Sequence, residues 1–375
     1  GVGGNAKVQA VNVAVPGQRW VVGEFNTNEL AHDIYGYGSY AVVAQGSRGV
    51  RVLDMSDPSN PALAGEYPTS GTAIGIVVQG DRAYVADAVN GVHVLDLTDP
   101  SDPRQIGTFH GMRATHVAVE GTRAFVSMWS GPTASLGLYI YDISDPAAAT
   151  LLGFWPHSTK QAVPNGDRVY AVTSTAIKIL NVSDPSNPVE VGQYAKSLFS
   201  SHLVREGSYL YLAADSTLYP LEITGPDSIV QRGSRTLASG GFARFVVAGD
   251  YAYMGCRYAG RGLVIVNVAN KTNPTKVVEV ADPVGCDAVA LSGDKVWLAN
   301  KDDGVFAMDV AVPATPQRLG TFDDCGVPTA VAVKDNVLYV ATSEAGLQVA
   351  DLLQQDDGSH YTRLGQCDTA GNALG

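Results

Sequence analysis

Cysteine is scarce in this sequence. There are four cysteines in 375 residues, Cys256, Cys286, Cys325 and Cys367, and none forms a C-x-x-C pair, which argues against a structural zinc knuckle. An even number of cysteines is compatible with two disulfides in a secreted protein and equally with four buried thiols.

Basic residues and long apolar runs are also few. The chain has 25 Lys and Arg against 37 Asp and Glu, a formal net charge of −12, which disfavours nucleic acid and anionic membrane as partners. No apolar run approaches the roughly 20 residues that a membrane-spanning helix needs. Residues 1–10 lack a basic segment followed by an apolar one, so we expect either no signal peptide or one already removed.

Helical periodicity and several enzyme motifs are absent too. Without a G-x-S-x-G elbow a serine hydrolase is disfavoured. Without a nucleotide-binding glycine pattern that leads into a helix, NAD and ATP chemistry are disfavoured. Apolar residues make up 45% of the chain and charged residues 17%, which is the composition of a globular protein.

What the sequence does contain is a repeat of about 42 residues. Four copies are plain: VRVLDMSDPSNP (50–61), VHVLDLTDPSDP (92–103), LYIYDISDPAAA (138–149) and IKILNVSDPSNP (177–188). Each period also holds two short alternating strands joined at a tight glycine turn, and a further strand after the DPSNP turn. Four strands in a repeat of this length are the signature of a β-propeller blade.

The repeats predict one all-β domain over residues 1–375, a β-propeller with eight four-stranded blades, with seven blades as the alternative. We name the strands of a repeat a, b, c and d in chain order. Strand a is expected to line the channel, and the d–a and b–c loops to open on one face. The N-terminal segment 8–25 resembles half a repeat, and it would either add an outer strand or close the ring by pairing with the last blade.

The run LVIVNV (263–268), its sister runs such as VRVLDM, and the DPSNP turns closely resemble the LVIVD-repeat family. The resemblance covers roughly residues 8–367. It implies the propeller fold and an exported protein, in an extracellular, periplasmic or cell-surface setting. It implies little about activity, because the family is defined by a scaffold motif.

The polar residue that ends each c-strand, a carboxylate in most repeats, is interpreted as structural. Asp and Ser cap turns through the neighbouring backbone, and Pro presets φ. A calcium role is the alternative, but each repeat supplies only one isolated carboxylate there.

Histidine is concentrated at one face of the predicted propeller. Five of the seven histidines, His32, His110, His116, His157 and His202, fall in d–a loops or at the start of an a-strand. Two successive positions open each a-strand, and we name them the first slot and the second slot. The first slot holds His32, Ile74, Thr115, Lys160, Ser201, Ala243, Asp287 and Thr329, and the second slot holds Asp33, Gly75, His116, Gln161, His202, Arg244, Ala288 and Ala330.

This pattern favours binding of a small anionic or saccharide ligand at the channel mouth. Arginine pairs bidentately with carboxylate or sulfate, and an aromatic ring can stack on a sugar. The candidate ligand-binding residues are His32, Lys160, Gln161, Arg244, Arg257, Arg261, Asp287 and Trp129. The partner would be a small molecule or glycan, and the protein a monomer.

Three alternatives stay open. A lyase acting on an acidic saccharide would use His116 or His202 as general base, Arg244 to hold the anion and Tyr258 as acid. A metal-dependent enzyme would bind a divalent cation through His32, His116 and His202. A cell-surface scaffold would present its loops to a cell-envelope protein.

The cysteines can be placed on the same plan. Cys256 ends strand b of one repeat and Cys286 begins strand a of the next, so a disulfide between them is the favoured pairing. Cys325 and Cys367 would then tie the last blade near the ring closure.

Overall fold

The described part of the computed structural model is almost entirely β-strand. It comprises residues 7–12, 21–26, 32–54, 56, 62–110, 113–128, 135–197, 201–214, 216–237, 242–256, 262–280, 286–300, 304–322, 328–334, 337–342 and 346–351. A 3₁₀ turn, Pro146–Ala148, follows strand c of one repeat. In these residues we find no helix with the length and apolar character that crossing a bilayer demands.

Within these residues, seven sheets each contain four consecutive antiparallel strands, and we number them blades 1 to 7. Blades 1 to 4 contain β3 (Asp33–Tyr37), β4 (Tyr40–Ala44), β5 (Val50–Asp54) and β6 (Ala62–Tyr67); β7 (Ala73–Gln79), β8 (Arg82–Asp87), β9 (Gly91–Asp96) and β10 (Arg104–His110); β11 (His116–Glu120), β12 (Arg123–Met128), β13 (Gly137–Asp142) and β14 (Thr150–Trp155); and β15 (Gln161–Asn165), β16 (Arg168–Val172), β17 (Ala176–Asn181) and β18 (Val189–Ala195).

Blades 5 to 7 continue the same order, and blade 5 has one additional short strand. They contain β19 (Ser201–Glu206), β20 (Tyr209–Ala214), β21 (Thr217–Gly225), β22 (Ser228–Gln231) and β23 (Arg235–Thr236); β24 (Phe242–Ala248), β25 (Tyr251–Cys256), β26 (Leu263–Asn267) and β27 (Thr275–Val280); and β28 (Cys286–Ser292), β29 (Lys295–Asn300), β30 (Gly304–Asp309) and β31 (Gln317–Phe322).

A closing sheet joins the two ends of the described chain. It contains β32 (Pro328–Lys334), β33 (Val337–Thr342) and β34 (Gly346–Asp351), followed by β1 (Lys7–Asn12) and β2 (Val21–Asn26). Strand β1 runs parallel to β34, with Val11 opposite Ala350, whereas strands a to d of blades 1 to 7 are antiparallel. The N-terminal segment therefore occupies the outer edge of this sheet.

The first strands of all these sheets form the inner ring. Each contacts the first strand of its neighbours, from β3 through β7, β11, β15, β19, β24 and β28 to β32, and β32 contacts β3. The prediction of an all-β propeller is confirmed, and strand a lines its axis as expected.

The core lies between blades, because neighbouring sheets pack face to face. Strands b and c are therefore buried on both sides and contain continuous apolar runs, as in β8 and β9. One cluster joins Tyr84 and Val94 of blade 2 to Val126 and Tyr141 of blade 3. Strand d is the outer edge and is more exposed, as in β18.

The glycine of strand d explains how one repeat fits the next. An added Cβ on Gly107 would overlap the carbonyl oxygen of Pro146, and one on Gly153 would overlap that of Pro185. Both prolines belong to the c–d turn of the following blade. The Asp-Pro turn of one blade thus packs directly on the strand-d glycine of the preceding blade. Only a residue without a Cβ permits so close an approach.

The acidic residues of the c–d turns cap local backbone, as interpreted from the sequence. Asp96 Oδ1 accepts the Thr98 N–H at 2.9 Å and Asp99 Oδ1 accepts the Ser101 N–H at 3.0 Å. The amide of Asn181 makes the same contact in blade 4, to Ser183 N at 3.0 Å. Carboxylate and amide oxygens thus make the same hydrogen bond to the turn backbone, which supports the structural role.

Candidate functional site

A cavity of about 320 Å³ lies where the a-strands of blades 1 to 5 begin. Its wall contains the slot residues and those that follow them: Asp33, Ile74, Gly75, Ile76, Thr115, His116, Val117, Lys160, Gln161 and His202. The predicted channel mouth is therefore a concave site, and its volume falls at the lower end of the range for small-molecule pockets.

The structure brings some predicted site residues together and leaves others apart. His116, Lys160, Gln161 and His202 share the cavity wall, and His32 is not among its lining residues. Arg244 and Asp287 lie within β24 and β28. Trp129, Arg257, Tyr258 and Arg261 lie outside the described residues.

The backbone of the first slot ends the pairing between strands a and b. The His32, Thr115 and Lys160 N–H groups donate to carbonyls at the ends of their b-strands, those of Ala44, Ser127 and Val172, at 2.8, 3.0 and 2.8 Å. The hydroxyl of Thr115 also donates to Ser127 O at 2.6 Å. Because the first slot stands at the strand end, its side chains border the cavity in blades 2, 3 and 4.

The second slot bridges neighbouring blades. Asp33 Oδ2 accepts the Ile76 N–H of blade 2 at 3.1 Å. Gln161 Oε1 accepts the Leu203 N–H of blade 5 at 3.1 Å, and its Nε2 donates to Leu203 O at 3.0 Å. We name these contacts the inter-blade clasp. Gln161, predicted as a ligand group, thus lines the cavity while both atoms of its amide hold the next blade.

The two histidines of the second slot occupy matching places in blades 3 and 5. His202 meets the ring of Phe245 in blade 6 edge-on, with centroids 5.5 Å apart and an interplanar angle of 86°. His116 pairs in register with Ser127 of β12. Both are half-buried and line the cavity, and His202 also contacts the next blade.

The metal interpretation gains no support from this arrangement. Among the described side chains, no group of three or more His, Cys, Asp or Glu is placed to hold a metal ion. A site formed by His32, His116 and His202 stays a prediction.

The cavity carries charge of both signs on opposite blades. Burial lowers the pKa of Lys160, since a desolvated ammonium is less stable than one in water. On blade 1, the Asp33 carboxylate is held by the clasp to Ile76. An anion that binds beside Lys160 would offset the desolvation of its charge.

The favoured disulfide between Cys256 and Cys286 is wrong. Both residues are buried, and neither is part of a disulfide. An added Cβ on Gly255 would lie 2.6 Å from the Cys286 sulfur, whereas Cys256 packs in the cluster with Tyr211 of blade 5. Successive strand residues point to opposite faces, so Cys256 faces away from blade 7. Cys325 and Cys367 lie outside the described residues.

A buried carboxylate, Asp87, lies on the same face, and its contacts were not predicted from the sequence. Asp87 is fully buried, and its Oδ1 accepts N–H groups of Thr72, Val89 and Asn90 at 3.1, 2.7 and 3.0 Å. Burial acts to raise the pKa of Asp87, but these backbone hydrogen bonds outweigh it and the pKa is lowered. Asp87 thereby fixes the d–a loop before blade 2 and the b–c turn of that blade.

The second oxygen of Asp87 faces a buried histidine. Asp87 Oδ2 lies 3.5 Å from His93 Nε2, and His93 Nδ1 lies 3.1 Å from Gln105 Oε1. The Tyr67 hydroxyl of blade 1 donates to the same Gln105 oxygen. One feature of the sequence could have indicated this pair. The last residue of strand b is Asp87 in blade 2, whereas it is Ala44 in blade 1 and Met128 in blade 3.

A model of one protein family matches six segments of the chain. The family is described as LVIVD repeat, and the matched residues are 30–69, 70–110, 111–155, 166–196, 240–282 and 326–369, which is more than half of the chain. No curated protein matches the sequence.

Solved structures with the same fold have low sequence identity. The C-terminal WD40 domain of Sif2 has a TM-score of 0.70 at 13% identity, covering 92% of this chain and 99% of its own. The computationally designed Ika8 protein has a TM-score of 0.69 at 12% identity, covering 92% and 100%. A protein from Lactobacillus plantarum has a TM-score of 0.61 at 16% identity, covering 81% and 95%. At such identities the likeness concerns the fold alone.

Proposed function

The chain belongs to the LVIVD-repeat family, and we propose that it is an exported, monomeric propeller that binds a small anionic or saccharide ligand at the channel mouth. The observation that carries this proposal is the shared cavity wall of His116, Lys160 and His202. Three neighbouring blades each contribute one basic side chain to it, in a protein whose net charge is −12.

Pre-organisation supports binding at this site. The clasps from Asp33 to Ile76 and from Gln161 to Leu203 join blades 1 and 2 and blades 4 and 5 next to the cavity. Since the wall is held by inter-blade hydrogen bonds, little ordering entropy would be lost when a ligand binds.

Charge supports an acidic group on the ligand. Lys160 carries a partly buried ammonium, and a carboxylate beside it would form a charge-assisted hydrogen bond. Groups in a partly desolvated cavity interact more strongly than at an exposed surface.

Calorimetric titration with glucuronate and with glucose tests the proposal, because the two sugars differ in one carboxylate. We expect glucuronate to bind and Lys160→Met to weaken it at least tenfold, since a charged hydrogen bond contributes about 1.5–3 kcal/mol. Lys276→Met is the matched control. Lys276 lies on outer strand β27 and pairs with Glu279 at 2.8 Å, so its loss should leave binding unchanged. Absence of binding by every small carboxylate and every sugar tried would overturn the proposal.

A lyase acting on an acidic saccharide is the second candidate, favoured by the two imidazoles beside Lys160 in one cavity. Either histidine would abstract the proton next to the carboxylate while Lys160 stabilises the developing anion. The C–O bond to the leaving sugar would then break, and Tyr258, predicted from the sequence as the acid, would protonate the leaving oxygen. Incubation with uronate-containing glycans should then release unsaturated product. His116→Ala or His202→Ala should abolish it with binding retained, and binding without product would reject the lyase.

A further inference from the structure

The cavity wall has an apolar sector on blades 2 and 3. Ile74 occupies the first slot of blade 2, Ile76 follows its second slot, and Val117 follows that of blade 3. The half-buried Ile74 provides most of the accessible apolar surface, because Ile76 and Val117 are only 7% and 8% exposed. Blade 2 thus places an aliphatic side chain where blade 4 places Lys160.

Gly75, in the second slot of blade 2, leaves space beside this apolar sector. An added Cβ would meet Ala86 Cβ at 3.7 Å and Asp33 Oδ2 at 3.9 Å, which are ordinary van der Waals separations. Among the described residues, no atom comes close enough to this position to require glycine. Its missing side chain enlarges the cavity next to Ile74.

Three of the six polar side chains of the wall bond to the fold itself. Gln161 uses both amide atoms on Leu203, and Thr115 Oγ1 donates to Ser127 O. Asp33 accepts the Ile76 N–H. A sugar brings several hydroxyls, and each one that is desolvated without a partner weakens binding.

From these walls we infer that the preferred ligand is a carboxylic acid with an apolar body, such as an aryl or branched aliphatic acid, rather than a sugar acid. The inference rests on the proposed function and narrows its ligand class. The carboxylate lies at Lys160, and the apolar body lies against Ile74 in the space above Gly75.

Calorimetric titration with benzoate, glucuronate and benzyl alcohol tests it. Benzoate and glucuronate share a carboxylate and differ in the body, whereas benzyl alcohol keeps the ring without the charge. We expect benzoate to bind at least tenfold more tightly than either of the others, because the ring buries apolar surface and the carboxylate meets Lys160.

Two variants address the apolar sector separately. Ile74→Thr keeps a β-branched side chain but loses apolar surface, and it should weaken benzoate about fivefold while changing glucuronate less than twofold. Gly75→Ala fills part of the space and should also weaken benzoate. Gly225→Ala is the matched control, because an added Cβ there meets no atom within 4 Å.

The outcomes separate this inference from the proposed function. Glucuronate binding as tightly as benzoate, or benzoate affinity unchanged in Ile74→Thr and Gly75→Ala, would overturn the inference and leave the proposed function standing. Absence of binding by both acids would overturn both. Should Ile74→Thr fail to fold, as judged by circular dichroism, Gly75→Ala decides.

Discussion

The inter-blade clasp of Gln161 predicts a measurable loss of stability. Gln161→Ala removes two hydrogen bonds to Leu203, of 3.1 and 3.0 Å. Each such bond contributes about 0.5–1.5 kcal/mol. The Leu203 N–H and carbonyl would lose these partners at a partly buried interface, so we expect the free energy of unfolding to fall by about 2 kcal/mol.

Urea denaturation followed by circular dichroism measures this loss, with the slope of the transition compared between variants. Gln161→Glu keeps an acceptor for the Leu203 N–H and loses the donor, so it should fall between wild type and Gln161→Ala. Gln79→Ala is the control, because the exposed Gln79 makes one bond to Gly121 O, of 3.0 Å. We expect it to lose less than half as much.

The competing interpretation makes Gln161 a ligand residue. It requires Gln161→Ala to unfold like wild type and to lose ligand affinity. That pair of results would refute the clasp as the main role of this side chain.

Three further predictions follow from other contacts. Gly107→Ala should lower the free energy of unfolding by about 1–3 kcal/mol, because its Cβ would overlap the next blade. Gly225→Ala, the control, should not lower it. Equal stabilities of the two variants in urea denaturation would contradict this packing. Because the pKa of Asp87 is lowered in the folded state, its contribution to stability is present above the unfolded pKa near 3.8 and is lost as pH falls further. Asp87→Asn should therefore flatten the acid side of a profile of melting temperature against pH. An unchanged profile would contradict this role. The pKa of Lys160 is lowered from 10.5, so the affinity for benzoate, measured by calorimetry, should fall as pH rises, and at a lower pH than if an ordinary lysine bound the acid. Lys160→Met should abolish this pH dependence. The same dependence in the variant would exclude Lys160 as its source.

The repeat could be predicted because each of its parts acts locally. Runs such as residues 50–53, apolar except for Arg51, are strands buried on both faces. The following Asp54 ends the strand by capping the turn, where its Oδ1 accepts the Ser56 N–H at 2.8 Å. Tight turns such as Gly80 require a positive φ, which is 58° here. Local patterns of this kind determine the strand order, and the strand order places the slots at the channel mouth.

The partners of the slot residues could not be predicted, because they depend on the neighbouring blade. Asp33 and Gln161 find backbone groups 43 and 42 residues further along the chain, and the distance between two a-strands is not encoded in either strand alone. The orientation of Cys256 also depends on its neighbours. Gly255 faces Cys286 of blade 7, so the next residue, Cys256, faces blade 5 instead. The buried pair of Asp87 and His93 was missed because the two residues lie on different strands of one blade.

The two slots contribute differently to the fold and to the proposed binding site. Second-slot residues lie at the blade interface, so replacing Gln161 changes the clasp as well as the wall of the cavity. First-slot residues such as Ile74 and Lys160 stand near the start of the a-strand, where the Lys160 N–H donates to Val172 O of its own blade at 2.8 Å. Ligand preference in this fold should therefore be more easily altered at the first slot, since changes there leave the joints between blades intact. Ile74→Lys tests this expectation. It should shift binding from benzoate toward dicarboxylates without lowering the free energy of unfolding. A large loss of stability would show that the first slot is structural as well.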